Sequence, residues 1–251
     1  MTMPAQFDLT GQTALVTGAG RGIGRAVAVA LAAAGADVVL HARRAADLDD
    51  VAREVTAAGR TAARWILDLS DPARVADAAA GIGPIDILVN NAGLIRRGPS
   101  AEQSLTEWRK VLDTNLDAVF VLTRTLGSGM LRRGHGRVVM IASLLSFQGG
   151  FNVAAYTASK HAVAGLTKAL ANEWTERGVL VNAIAPGYIA TANTRPLRED
   201  AERELAIRRR IPAGRWGRPE DVAGAAVFLA SPAAGYVAGH VLAVDGGWLA
   251  R

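Results

Sequence analysis

Ala14-Leu15-Val16-Thr17-Gly18-Ala19-Gly20-Arg21-Gly22-Ile23-Gly24-Arg25 runs from a short apolar stretch through a glycine-rich turn into a segment with helical periodicity. The apolar residues read as a strand, and the residues from Gly22 onward as a helix. Gly18 permits a tight turn, while Gly22 and Gly24 let the backbone come close to a pyrophosphate. Arg21, Gly22, Ile23 and Gly24 stand where a helix N-terminus offers free N–H groups and the positive end of its dipole. Glycine-rich turns are common on their own; this one gains weight because it heads a βαβ unit.

Outward from that turn, strand-length apolar runs alternate with longer helical segments. Strands are expected at 13–16, 37–40, 61–67, 85–89, 136–142, 179–184 and 241–244, and helices at 22–34, 46–58, 71–81, 105–126, 154–176 and 219–229. Runs such as Ile85-Asp86-Ile87-Leu88-Val89 and Val138-Val139-Met140-Ile141 are apolar almost throughout, as in strands covered on both faces. The expectation is an α/β protein: one Rossmann-type doubly wound parallel sheet in three α/β/α layers, forming a single domain over residues 1–251. Residues 188–216 break the pattern. They are polar and Arg-rich, with Pro196 and Pro212 interrupting any helix, and they read as a lid over a ligand at the carboxyl edge of the sheet.

Composition narrows the function. The chain of 251 residues is 50% hydrophobic and 20% charged, which suits a globular protein with one large core and excludes disorder. With no cysteine there is no disulfide, thiolate–zinc site or cysteine nucleophile, and a cytoplasmic location is expected. His41, His135, His161 and His240 are dispersed without ligand spacing, so no metal is expected. The apolar runs are too short or too interrupted for a membrane span. The net charge of +5 comes from arginines scattered along the chain rather than gathered on one face, so a nucleic-acid partner is not expected.

A second strand that binds the ribose 2′-hydroxyl of NAD usually ends near an acid. Here it ends in His41-Ala42-Arg43-Arg44, and Asp37 lies at the opposite end. Arg43 with Arg21 suits the 2′-phosphate of NADP instead. Further along, Tyr156-Thr157-Ala158-Ser159-Lys160 places a phenol and an ammonium four residues apart on one helix face. A Lys⁺ beside a phenol favours the phenolate and brings it toward working range as a base. Ser143, just past an apolar strand, falls at the carboxyl edge of the sheet, where its hydroxyl can hydrogen-bond a carbonyl oxygen.

With these residues in place the sequence resembles the short-chain dehydrogenase/reductase family along essentially its whole length. The stretch from Thr17-Gly18 to Gly24 resembles the family's coenzyme turn, Asp68 with Leu69 its adenine contact, and Asn90-Asn91-Ala92-Gly93 the element beside the coenzyme. Asn115, Ser143, Tyr156 and Lys160 resemble its catalytic tetrad, and Pro186-Gly187 with Ile189 and Thr191 its nicotinamide-side loop. The resemblance implies that Tyr156 exchanges the hydroxyl proton, Ser143 holds the oxygen, and Lys160 lowers the Tyr156 pKa and grips the nicotinamide ribose. Asn115 would hold a proton-relay water or pin a kink in its helix. The resemblance also implies a homotetramer; Trp248 fits an interface anchor and a core residue equally. It suggests NAD where the local arginines suggest NADP, and both stay open.

For the substrate, Arg97 and its neighbour Arg96 follow the Asn-Asn-Ala-Gly stretch and suit a carboxylate, as do Arg195, Arg198 and Arg215 in the lid. Gln148 and Asn152 suit sugar hydroxyls. A small sugar acid is expected, with another sugar or polyol as the alternative. A non-catalytic nucleotide-binding regulator is the reading from a different class, and the intact Ser143, Tyr156 and Lys160 argue against it.

Overall fold

A computed structural model describes residues 4–251. Seven strands, β1 (Thr13–Val16), β2 (Asp37–Ala42), β3 (Ala62–Ile66), β4 (Ile87–Asn90), β5 (Gly136–Ile141), β6 (Val179–Pro186) and β7 (Val241–Val244), form one sheet. Their order is β3-β2-β1-β4-β5-β6-β7, and every pairing is parallel. The chain winds outward from β1 to β3, returns to the centre, and winds the other way from β4 to β7. This reversal leaves a crevice beyond the carboxyl ends of β1 and β4, where sheets of this kind bind ligands.

The strands are apolar throughout because their two faces feed different cores. Ala14 and Val16 of β1, with Val139 and Ile141 of β5, pack against α1 (Gly22–Ala33), α2 (Asp49–Ala57) and α9 (Pro219–Ala230). Leu15, Val138 and Met140 point the other way, onto α3 (Pro72–Ala80), α5 (Ala118–Arg133) and α6 (Ala154–Trp174). Each fully buried Leu, Ile or Val contributes roughly 1.5–3 kcal/mol, so neither face tolerates a polar substitution without a partner.

Local signals set the helix ends. The Asp71 side chain accepts from the Arg74 N–H, and Pro72 fills the first position of α3, where a missing N–H costs nothing. Gly134, at φ 69°, closes α5 in the left-handed conformation.

The structure departs from the sequence reading in two places. The helix expected over 105–126 is α4 (Leu105–Leu112) and α5, joined by a π-helical turn at Asp113–Asp117 and running on to Arg133. In that wider turn Asn115, fully buried, accepts from the Leu94 N–H and donates to the Leu94 carbonyl, both at 2.9 Å. In the expected lid, Pro196 and Pro212 bound helices rather than prevent them. Pro196 sits in the first turn of α7 (Arg195–Glu199), and α8 (Ala201–Arg210) occupies most of the interval before Pro212. Asp200 caps α8 by accepting from the Arg203 N–H at 3.0 Å.

Candidate active site

The glycine turn fills the space between β1 and the loop after β4. Thr17 Oγ1 accepts from the Asn91 and Ala92 N–H groups at 2.9 Å each and donates to the Val89 carbonyl at 3.3 Å, using its full hydrogen-bonding capacity. The Asn91 amide donates back to the carbonyls of Thr17 at 2.8 Å and Gly18 at 3.3 Å. Gly18 has a φ of 66°, which a side chain would strain.

Gly24 has a packing reason that the sequence reading did not include. A Cβ there would lie 2.2 Å from the Gly18 carbonyl oxygen and 2.5 Å from the Asn91 amide nitrogen. A side chain would therefore keep α1 from seating against its own turn.

The N-terminus of α1 has no side-chain cap and no acid in its first turn. The amides of Gly22, Ile23 and Gly24 therefore belong to the group that a helix leaves without internal partners, a setting that fits a dinucleotide's phosphates. Thr191, in the loop after β6, closes on the same place: its methyl lies 3.4 Å from the position of a Cβ on Gly22. Pro186 and Gly187 end β6 against β7, and Ile189 is buried and bridged to Gly217.

On the far side, Arg21 and Arg43 are both exposed, and the charges of both act on Asp47. Asp68 is exposed too and accepts from the Ser70 N–H at 2.9 Å, while Leu69 is buried. Asp37 accepts from the Thr61 N–H at 2.7 Å at the amino edge of the sheet, well away from this crevice.

Beyond the carboxyl end of β5, Ser143 comes up beside Tyr156 of α6. The Ser143 hydroxyl and the Arg97 charge both favour the Tyr156 phenolate, but burial outweighs them and the phenol's pKa is raised. Lys160, one turn on, is buried and donates from Nζ to the Ile141 carbonyl at 2.6 Å. Burial pushes its pKa down to about 8. Its Nζ lies 5.6 Å from the centre of the Tyr156 ring.

Ser143 and Arg97 are thus the groups that favour the phenolate here, while Lys160 Nζ is engaged with the Ile141 carbonyl. Asn115 joins the cluster from the π turn by donating to Ser159 Oγ at 3.2 Å, and Ser159 donates to the Tyr156 carbonyl at 2.7 Å.

The expected substrate contacts are placed unevenly. Arg97 reaches across from the loop after β4 and donates to the Asn193 carbonyl, in the segment after β6, at 3.0 Å. Asn152, held at φ 59°, accepts the Gly98 N–H on its carbonyl at 2.9 Å and so braces the Arg97 loop. Gln148 instead accepts from the Trp248 indole at 3.3 Å. Trp248 is a core residue, packed with Leu144, Ile207 and Ile211, 4.6 Å from the Tyr188 ring and beneath the Arg210 guanidinium.

Of the arginines in residues 188–216, Arg215 is held by Asp221 at 2.6 and 3.0 Å, Arg195 lies 3.7 Å from Glu199, and Arg198 donates to the Thr191 carbonyl. Arg97 thus combines a charge that acts on Tyr156 with a tie to Asn193 in that segment. Two residues that the sequence reading passed over also belong here: Ser159, a helical serine with no visible pattern, and His41, polar in a strand that is otherwise apolar after Asp37.

Among the described residues no cluster of His, Cys, Asp and Glu could hold a metal ion, and no helix is long and apolar enough to cross a membrane.

A doubly wound sheet with a glycine turn at its switch point, facing a Ser, Tyr and Lys cluster, defines a dinucleotide-dependent oxidoreductase. A family model described as "Enoyl-(Acyl carrier protein) reductase" matches residues 18–249, and the chain belongs to the short-chain dehydrogenase/reductase family. Over 248 residues it is 55% identical to the 2-dehydro-3-deoxy-D-gluconate 5-dehydrogenase of Bacillus subtilis, covering 98% of this chain and 97% of that one. A crystal structure from Beutenbergia cavernae, named as a candidate NAD(P)-dependent gluconate 5-dehydrogenase with NADP bound at low occupancy, superposes with a TM-score of 0.95 at 58% identity. It covers 98% of this chain and 100% of that one. A candidate 2-deoxy-D-gluconate 3-dehydrogenase from Agrobacterium tumefaciens with bound NADP gives 0.95 at 56% identity, covering 99% and 100%.

Proposed function

We propose that the protein is an NAD(P)-dependent sugar-acid dehydrogenase that oxidises 2-dehydro-3-deoxy-D-gluconate at its 5-hydroxyl. The Bacillus relative supports the substrate. The observation that carries the reading is Arg97, whose charge acts on Tyr156 from a loop that borders the crevice. A carboxylate held there brings the far end of a short acid to the phenol.

The coenzyme, when bound, accepts the hydride or returns it. The protein's own part is to bind, orient and move a proton. Tyr156 takes the hydroxyl proton as the carbon loses hydride, Ser143 holds the same oxygen, and Lys160 would hold the nicotinamide ribose. Asn115 keeps α6 in place and holds a relay water. Asn91, Ala92 and Gly93 line the nicotinamide side opposite Pro186, Gly187, Ile189 and Thr191. The amides of Gly22, Ile23 and Gly24 take the pyrophosphate beside Gly18, and Asp68 with Leu69 borders the adenine. Gln148 and Asn152 complete the substrate side.

NADP is the preferred coenzyme in this reading, because Arg21 and Arg43 are exposed together where an acid would otherwise select NAD. The protein works in the cytoplasm as a homotetramer of single-domain subunits, with residues 188–216 as the lid.

The second reading is gluconate 5-dehydrogenase, which the Beutenbergia structure favours. Following absorbance at 340 nm with 2-dehydro-3-deoxy-D-gluconate or D-gluconate, each with NAD⁺ and NADP⁺, separates the two. The expected result is turnover of the deoxy acid with NADP⁺ ahead of NAD⁺, reduced about 10³-fold in Tyr156→Phe. Faster turnover of D-gluconate would transfer the assignment to the second reading, and a Tyr156→Phe variant as active as wild type would remove Tyr156 from the mechanism.

A further inference from the structure

His41 is the fifth residue of β2, in register with Trp65 of β3, and 2% exposed. Every other residue of β2 after Asp37 is apolar, so a buried imidazole here requires partners. The ring has two: its Nδ1 accepts from the Gly18 N–H at 3.1 Å and its Nε2 meets the Leu67 carbonyl at 3.0 Å, while the backbone carbonyl of His41 accepts from the Ala19 N–H at 2.9 Å.

These contacts leave one protonation state. A backbone N–H can only donate, so Nδ1 carries no proton; a carbonyl can only accept, so Nε2 carries one. The ring is neutral and in a single tautomer. Trp65 covers it at 5.0 Å between ring centres. The charged group acting on it is Asp68, which itself faces Arg43 and Lys110.

The three segments that His41 joins are the ones assigned to the coenzyme. Gly18 opens the glycine turn, Leu67 precedes Asp68, and Arg43 follows two residues after His41 itself. The Gly18 peptide is gripped at both ends, by His41 on its N–H and by the Asn91 amide on its carbonyl.

We propose that His41 is a positioning residue of the coenzyme site, an internal spacer whose neutral Nε2–H tautomer sets the Gly18 turn at a fixed distance from the Leu67–Asp68 segment. It touches neither coenzyme nor substrate and acts through Gly18 and Leu67. The inference rests on the reading of the crevice as the NAD(P) site.

The test uses the full-length protein with His41→Phe, which keeps a ring but neither nitrogen, and His41→Asn, whose Oδ1 can again accept from the Gly18 N–H. NADP⁺ affinity is measured by quenching of tryptophan fluorescence at pH 7, alongside KM for NADP⁺ and kcat at saturating coenzyme. His41→Phe leaves the Gly18 N–H buried without an acceptor, and about ten-fold weaker binding is expected. The same ten-fold should appear in KM for NADP⁺, with kcat within about two-fold of wild type, and His41→Asn should recover most of the loss.

A residue that merely fills the core would not give that split or that rescue. Equal NADP⁺ affinity in wild type and His41→Phe would overturn the proposal, and so would an Asn variant no better than Phe. A loss confined to kcat would overturn it as well. Wild-type protein that bound neither NADP⁺ nor NAD⁺ would overturn the coenzyme reading itself, and the proposal with it.

Discussion

The glycine turn after β1 and the segment after β6 meet across the same crevice, at Gly22 and Thr191, but different kinds of contact hold them. The turn is fixed by bonds that are wholly or partly buried: Thr17 to three backbone groups, Asn91 to two carbonyls, His41 to Gly18. The opposing segment rests on a small core of its own around Ile207, Ile211 and Trp248, and its outer ties are exposed side chains, Arg97, Arg198 and Arg215 on carbonyls and on Asp221. The first arrangement is preformed for a ligand of constant shape. The outer ties of the second are bonds that water or a substrate carboxylate can replace, as the proposed lid requires.

The sharpest way to break this contrast is Gly24→Ala. On the rigid side a methyl group 2.2 Å from the Gly18 oxygen has nowhere to go. Coenzyme affinity should fall at least about 100-fold and the melting temperature by several degrees. Gly224→Ala is the control, because nothing lies within 4 Å of a Cβ at that exposed position of α9; it should bind NADP⁺ normally. Retained affinity in Gly24→Ala would show that the turn yields.

Much of the glycine-turn side was legible in the sequence, and most of the opposing segment was not. A glycine turn between an apolar strand and a helix carries its own geometry, and so does the spacing of Tyr156 and Lys160, because these depend on neighbours in the chain. The π turn at Asp113–Asp117 was invisible, since one extra residue per turn hardly disturbs a hydrophobic period, and its cause is the distant Leu94 backbone. The helices α7 and α8 were hidden by reading Pro196 and Pro212 as interruptions, when Pro196 sits in the first turn of α7 and Pro212 follows α8. The Lys160 contact with Ile141 was equally out of reach: a side chain's choice between a phenol and a carbonyl depends on burial, which letters do not record.

The acid response of the rigid side is the next test. Burial holds His41 at a pKa of about 4 against 6.5 in an open chain. Above pH 6.5 neither state binds the proton. Between 6.5 and 4 the unfolded chain binds it and the folded protein does not, so stability falls as pH falls, by about 1.4 kcal/mol per unit. Urea unfolding should show wild type losing about 2–3 kcal/mol more than His41→Asn between pH 7 and pH 4.5. Equal losses would mean that the imidazole protonates in place.

On the opposing side, Arg97→Ala should raise KM for the acid substrate about 10- to 100-fold at little cost to coenzyme affinity. It also removes a positive charge that favours the Tyr156 phenolate. The pKa of Tyr156 then rises, and the rising limb of the oxidation rate against pH should move to higher pH. Arg97→Lys should return the limb toward its wild-type position, while restoring KM less completely because an ammonium cannot bind a carboxylate in fork geometry. An unchanged pH profile in Arg97→Ala would detach the arginine from the phenol.

The smallest effect should come from Arg215→Ala. Its ion pair with Asp221 has good distances, 2.6 and 3.0 Å, and holds the Asp221 pKa down to about 2. Solvent reaches the pair, with 54% of the arginine side chain exposed, and pairs of that kind add little stability. The melting temperature should stay within about 2 °C of wild type. Asp221 keeps its bond from the Arg218 N–H at 2.7 Å, so the start of α9 survives the loss. What should change is the segment itself: limited proteolysis between α8 and α9 should run faster than in wild type, and NADP⁺ should protect it less. A drop of many degrees would mean that this ion pair belongs to the rigid class, and the two sides of the crevice would then be held alike.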